Sequence, residues 1–392
     1  MAPLLAYAGN NLMNLVTSKV YAAERRLFKG SGTSGGLNYT YDVTEAPIAK
    51  LVHGSARHNL EFDLKKVAIT AKGTLLDFQR TLRMKATGRL AIVAGALTLT
   101  GLEVTTNSTS ALDQLVVGII QSQIQPKIAT ALASIPIPQL NDIFSTGLSA
   151  APREGGVIRG PALEVQARVT GKNGLASADA PTAASIRLLN DGTATDAKMI
   201  GVVSEDAIQA LIKALVPPLS HAFDEIRTKG EFSAGIKGTI KATTPLLRIR
   251  NGVGEATTTI SFSKLKGGIQ VPLLGWTWVS LPAPTIKAAI THSLSASGNE
   301  VLVKLTGVRS LRVSLNWPAV LRPVEVVLGA LLNSVLTLFR GKISAAVAGR
   351  KLELFQLPPK VPGTNINATL SFASGGLAYF KSSVQAIVRI RT

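Results

Sequence analysis

The 392-residue sequence contains no cysteine. That excludes a disulfide framework, a cysteine-ligated zinc site and a thiol nucleophile. Aromatic residues make up only 5% of the chain and charged residues only 17%. Acidic side chains are scarce: 23 Asp and Glu stand against 42 Lys and Arg, a formal charge of +19. Glycine and proline, 35 and 19, are near ordinary usage, so the chain is neither collagen-like nor of low complexity. A membrane-spanning helix needs about 20 nearly uncharged apolar residues. The most apolar stretch, Ala319 to Phe339, carries Arg322, Pro323, Glu325 and Asn333. The opening Met1-Ala-Pro-Leu-Leu has no cationic start, so it makes a poor signal peptide.

What is present is apolar mass. Hydrophobic residues reach 46% and mean hydropathy is +0.27, which excludes a disordered basic tail. A chain of this length buries a sufficient core without covalent staples. Residues 1–200 hold 20 basic and 14 acidic groups and residues 201–392 hold 22 and 9, so the halves carry +6 and +13.

Apolar positions at steps of three and four predict four helices. The first covers Leu5–Phe28, with Leu12, Leu15, Val16 and Val20 on one face. The second covers Ala111–Ser134, with Leu115, Ile119, Ile120 and Ile124 in register. The third, Ser204–Leu215, opens on Ser204 as N-cap and aligns Ile208, Leu211 and Leu215. The fourth, Pro318–Val347, aligns Leu328, Leu332, Val335 and Phe339. Between them the period falls to two, as in Leu60–Leu64, Leu163–Val169, Ile236–Ile240, Val301–Leu305 and Val384–Ile390. Outward positions there are polar and often basic, which predicts antiparallel strands with one solvated face. A phase slip at Lys65-Lys66 predicts a bulge. The order helix, long strands, long helix occurs over about 1–135 and again over about 204–347. This predicts an α+β protein in two similar units, 1–200 and 201–392, with 137–200 and 355–392 supplying strands that join them.

Motifs for chemistry fail on context. Gly30-Ser-Gly32-Thr-Ser-Gly35 spells GxGxxG, and Gly32-Thr-Ser34-Gly-Gly36 spells GxSxG. Both patterns need a strand before and a helix after. Here a helix precedes and a strand follows, so the expectation is a flexible connector. His53, His58, His221 and His292 have no metal-ligand spacing, and the scattered carboxylates nominate no acid–base pair. The expectation is a protein that is not an enzyme, with no catalytic residue and no metal. The charge fits nucleic acid in principle, but aromatics do not interleave with the basic residues and no recognition motif is present. A cluster of Lys65, Lys66, Lys72, Arg80, Arg83, Lys85 and Arg89 occupies one strand–hairpin–strand unit. Guanidinium and ammonium groups on such a hairpin suit phosphate contacts; a solvated, aggregation-resistant edge explains them equally well.

Ile69-Thr-Ala-Lys-Gly73, Arg80-Thr-Leu-Arg83-Met84 and Gly88-Arg-Leu90 resemble the basic hairpin of the bactericidal/permeability-increasing protein-like family of the tubular lipid-binding superfamily. Met199-Ile-Gly-Val-Val-Ser204-Glu-Asp-Ala resembles the strand-into-helix opening of that family's C-terminal barrel. Thr244-Pro-Leu-Leu with Gly252-Val-Gly254 resembles its next paired strands. The stretch Phe355–Pro359, Leu370–Phe372 and Leu377–Phe380 resembles its closing segment. The resemblance implies an elongated, pseudo-symmetric tandem of two barrels joined by a central sheet, binding or transferring lipid without catalysis. It implies that the helix faces named above line grooves for phospholipid or fatty acyl chains. It implies too that Lys65, Lys66, Arg80, Arg83, Lys85 and Arg89 meet anionic headgroups, a membrane surface or lipopolysaccharide. An extracytoplasmic or secreted location follows from the same source. The alternatives are an interaction protein with closed barrels and, behind it, a cationic nucleic-acid binder; no specific nucleic-acid partner is expected.

Overall fold

The five segments that alternate with period two all fall in strands, and strand pairing defines the architecture. In this computed structural model the described residues are 2–391, apart from 35, 54, 56, 75–76, 94–95, 112, 115–117, 119–125, 127–149, 153–156, 160–161, 171, 192–195, 230–231, 272–273, 298–299, 310, 314, 316, 349 and 358–366. Most of the predicted helix at 111–134 therefore lies outside the described residues. Strands are numbered along the chain and pair antiparallel throughout the described residues.

The N-terminal sheet contains β2 (Lys29–Ser34), β3 (Leu37–Val43), β4 (Ile48–Leu51), β5 (Leu60–Lys72), β6 (Asp77–Val93) and β7 (Ala96–Thr106). Its order is β2-β3-β5-β6-β7, with β4 also on β5. The C-terminal sheet contains β12 (Leu219–Lys229), β13 (Phe232–Ala242), β14 (Leu246–Arg250), β15 (Val253–Val271), β16 (Gly275–Ser280), β17 (Thr285–Ser297), β18 (Glu300–Val308) and β19 (Lys351–Gln356). Its order is β12-β13-β15-β17-β18-β19, with β14 and β16 both on β15. The central sheet draws on the whole chain: β1 (Leu4–Gly9), β8 (Ala150–Pro152), β9 (Val157–Arg159), β10 (Ala162–Val169), β11 (Asp196–Ser204), β20 (Thr369–Phe380) and β21 (Ser383–Arg391). Its order is β20-β21-β11-β1-β10-β8, with β9 on β10. The described helices are α1 (Asn10–Ala23), α2 (Ala183–Leu188), α3 (Glu205–Leu215) and α4 (Glu325–Val347). The outer sheets curl into half-barrels, with α1 against the N-terminal one and α3 and α4 against the C-terminal one.

Three expectations are corrected. Leu5–Gly9 is not the start of a helix but belongs to β1, whose six residues are all buried. Leu4, Ala6 and Ala8 enter the larger apolar cluster, while Leu5 and Tyr7 enter a smaller one on the opposite face. A strand covered on both faces shows no alternation to read. The glycine-rich stretch at 30–34 is not a flexible connector but β2, paired to β3 from Lys29↔Asp42 to Ser34↔Leu37. Tyr41 and Tyr39 lie across Gly30 and Gly32, where an added Cβ would come within 2.8 and 2.5 Å of their rings or hydroxyl. The aromatic bodies cover the backbone that glycine leaves bare. The fourth helix begins later than predicted, because Ala319–Val324 is a 3-10 turn around Pro323. By length and composition alone α4 passes for a membrane span, yet Leu328, Leu332, Val335, Phe339, Ile343 and Val347 are buried in the protein core.

Other local readings hold. The slip at Lys65-Lys66 is a bulge, with register shifting between Leu64 and Val67. Ser204 caps α3, its Oγ accepting from Ala207 N at 3.3 Å. Asn251 and Gly252 both take positive φ, 51° and 77°, the requirement of a two-residue hairpin turn between β14 and β15.

One device occurs twice. On α1, Asn10 and Asn14 accept from Leu51 N and Ala49 N at 2.7 and 2.6 Å. On α3, Glu205 and Gln209 accept from Ile249 N and Leu247 N at 2.6 and 2.9 Å. In each case acceptors four apart on a helix meet amides two apart on a short edge strand, β4 or β14. These strands would otherwise bury unsatisfied donors. Replacing Asn14 or Gln209 by Ala is therefore expected to cost about 1–3 kcal/mol each, read as a shift in the denaturant midpoint.

Alkali provides a second check. Burial pushes the Tyr41 and Tyr379 phenols from 10.0 up to about 12, and neither hydroxyl has a partner among the described residues. The unfolded chain ionises first, so their contribution is intact below pH 10 and is lost as pH rises toward 12. The double variant Y41F/Y379F should flatten that decline in alkaline unfolding curves and leave neutral-pH stability unchanged or slightly raised.

Candidate functional site

The apolar part of the candidate site is built on helix faces. Leu12, Leu15, Val16 and Val20 of α1 are all buried, as are Ile208 and Leu211 of α3 and Leu328, Leu332, Val335 and Phe339 of α4. All belong to one continuous apolar cluster with the inward residues of both curled sheets. Leu215 stands apart: as the last residue of α3 it is 37% exposed. Leu115, Ile119, Ile120 and Ile124 lie outside the described residues. The one polar residue buried on the face of α1, Thr17, turns its hydroxyl to Met13 O at 2.7 Å, so its own polar group is satisfied within the helix.

The cationic part sits on β5 and β6, and the structure divides its six members. Arg83 makes two hydrogen bonds to Asp63, at 2.9 and 2.5 Å. These bonds, reinforced by the guanidinium charge, hold the Asp63 carboxyl below its usual range. Lys85 pairs with Glu61 at 2.9 Å and Lys66 with Glu45 at 2.5 Å. Arg83, Lys85, Glu61 and Asp63 share a surface cleft of about 340 Å³ with Lys50 and Ile48. Half of the basic set is thus neutralised by carboxylates across the strands. The signal was present in Glu61 and Asp63, which alternate on the solvated face of β5, but only strand register shows which cations they meet.

Lys65, Arg80 and Arg89 form no ion pair among the described residues. Among them Arg80 is distinct. It pairs directly with Ile69, a core residue, and so lies on the inward face of β6 with Phe78 and Leu82. It is exposed nonetheless, and its guanidinium sits 5.9 Å from the Phe78 ring centroid. An exposed cation beside an apolar concave surface can meet an anionic group attached to an apolar body. Arg89 alternates to the outer face, opposite Thr100.

Sequence reasoning also passed over Trp276 and Trp278. Two of the chain's three tryptophans, spaced two apart in a sequence poor in aromatics, were the available signal.

Comparison with known proteins gives fold rather than family. No family model and no curated protein matches the chain. The chain is similar to the crystal structure of P47 of Clostridium botulinum E1, with TM-score 0.52 and 8% identity over 98% of both chains. It also aligns with P47 from Clostridium botulinum A2, at TM-score 0.45 and 9% identity over 100% of this chain and 97% of that one. A lipopolysaccharide binding protein aligns at TM-score 0.41 and 11% identity over 100% and 99%. The first of these likenesses carries a shared fold. The fold kind, helices laid in curled antiparallel half-barrels, is the one expected from the sequence.

The division of the cations makes a test. Arg80→Gln is expected to weaken association with anionic vesicles by several-fold, whereas removing a whole ion pair, as in Arg83→Gln with Asp63→Asn or Lys85→Gln with Glu61→Gln, should change it by less than twofold at equal salt. Vesicle cosedimentation reads the difference. Equal losses from all three would remove Arg80 from its special place.

Proposed function

We propose that the protein is a non-enzymatic lipid-binding or lipid-transfer protein that holds acyl chains against its apolar helix faces and works at anionic membranes. The observation that carries this reading is the placement of three amphipathic helix faces in one continuous apolar cluster with the concave sides of two curled sheets. The repeated bonding of α1 to β4 and of α3 to β14 supports a tandem of two barrels, 1–200 and 201–392, with a groove in each. Phospholipid or fatty acyl lipid is the proposed ligand, with no metal or other cofactor. Lipopolysaccharide is one anionic lipid that would meet Arg80, and an extracytoplasmic site of action is part of the proposal.

The energetics are adequate. Each buried CH₂ contributes about 0.8 kcal/mol, so one long chain outweighs the cost of ordering it. Each Lys or Arg near an anionic bilayer adds about 1 kcal/mol within a Debye length, and a charge of +19 gathers the protein at such surfaces.

Native mass spectrometry of the purified protein, with organic extraction, is expected to show bound acyl lipid. Vesicle association should fall steeply from low to high salt. Lipid-free protein that takes up no added lipid would leave the closed-barrel reading in its place.

A further inference from the structure

The far end of the C-terminal sheet presents an apolar surface to solvent. On its outer face Ile226, Gly235, Gly268 and Trp278 stand side by side across four strands. The next row toward the hairpin turns ends in Trp276, paired with Gln270. The two indoles stack at 5.1 Å with 17° between planes. They lie on a glycine floor: a Cβ at Gly268 would come within 2.7 Å of Trp278, and one at Gly235 within 3.0 Å. Lys237 places its ammonium 3.9 Å from the Trp278 ring centroid, on the side away from Trp276.

The same end bears projecting apolar residues. Leu274, in the turn before β16, is 81% exposed. Gly267 faces inward against Leu281, Leu321 and Leu328, which brings the 3-10 turn and the start of α4 to this end. Val320 and Val326 on those segments are 52% and 86% exposed. Three cations, Lys237, Lys266 and Arg322, lie at this end with Asp224 and Glu325. None of the three forms an ion pair among the described residues. Arg227 and Glu225 alternate to the other face and balance each other.

We infer that this end is the membrane-docking surface, and that its partner is an anionic bilayer. Indoles and lysines both favour headgroup depth, where an apolar body and a polar tip are satisfied together. Leu274, Val320 and Val326 stand where they would enter the acyl boundary, and the unpaired cations complement anionic headgroups. A soluble sugar fits poorly, since Trp278 is covered by Trp276 on one side and by Lys237 on the other. The inference rests on the proposed function only for the anionic membrane as partner; it does not require lipid in the grooves.

A Trp317→Phe background leaves Trp276 and Trp278 as the only fluorophores of their kind. With phosphatidylcholine vesicles containing phosphatidylglycerol, their emission should shift to the blue and be quenched by brominated lipid. Leu274→Glu and Val326→Glu, both at exposed positions, should each weaken cosedimentation about tenfold without changing the lipid extracted from the protein. Wild-type cosedimentation of both variants, or indoles untouched by brominated lipid, would overturn the inference while leaving groove binding intact. Docking through this end by a protein with no extractable lipid would uphold it and defeat the groove reading. Binding of a soluble polysaccharide in place of vesicles would also overturn it.

Discussion

Strand β1 is the constraint on which the other elements depend. It is paired along its length on both sides, Leu4 to Ala167 and Val203, Ala8 to Leu163 and Met199, and it is buried above and below. β1 runs directly into α1, and its neighbour β11 runs directly into α3. Because the two strands are antiparallel, these helices leave the central sheet at opposite ends. Each curled sheet then forms around the helix delivered to it. Closing this sheet requires the start, middle and end of the chain to meet, through β1, β10, β11 and β21, a costly set of long loops to close. The return is a core continuous from one half to the other.

The repeated helix-to-edge-strand bonding shows how one local arrangement can occur twice with different residues. The requirement at β4 and β14 is for acceptors, four residues apart on the helix, aimed at alternate amides. Two asparagines supply them in one half, and a glutamate and a glutamine in the other. A carboxylate and a primary amide offer the same carbonyl-type oxygen. Geometry is therefore held while residue identity drifts, and a search for repeated letters has little to find.

That logic also separates what could be read from the sequence from what could not. Features set by a few neighbouring residues were legible: the bulge at Lys65-Lys66, the cap at Ser204, and the strands with one solvated face. Features set by distant residues were not. β1 hides its period because Leu189 and Ile387 cover one face, from far along the chain. The stretch at Gly30 looks loose until Tyr39 and Tyr41 are laid over it. For the candidate site, the apolar faces of α1, α3 and α4 were legible in advance, Leu215 apart, whereas the state of the cations was not. Asp63 and Arg83 are twenty residues apart and meet through the register of one hairpin.

Charge alone gives an ambiguous orientation, and pairing resolves it. Six of the eight ion pairs among the described residues join groups within residues 24–85. The second half has the larger net charge, +13 against +6, and far fewer carboxylates to hold its cations. Unpaired lysines and arginines can turn toward a charged surface at no cost in broken bonds, whereas Arg83 or Lys85 must first release its partner. A field extending over a Debye length orients a molecule by net charge, and contact then selects groups that are free to move. On the proposed docking to an anionic bilayer, both steps favour the second half approaching first, with the outer face that carries Trp278 leading. In the N-terminal hairpin Arg80 shares a face with Phe78 and Leu82 while remaining exposed, and Arg83, Lys85 and Lys66 are held by carboxylates.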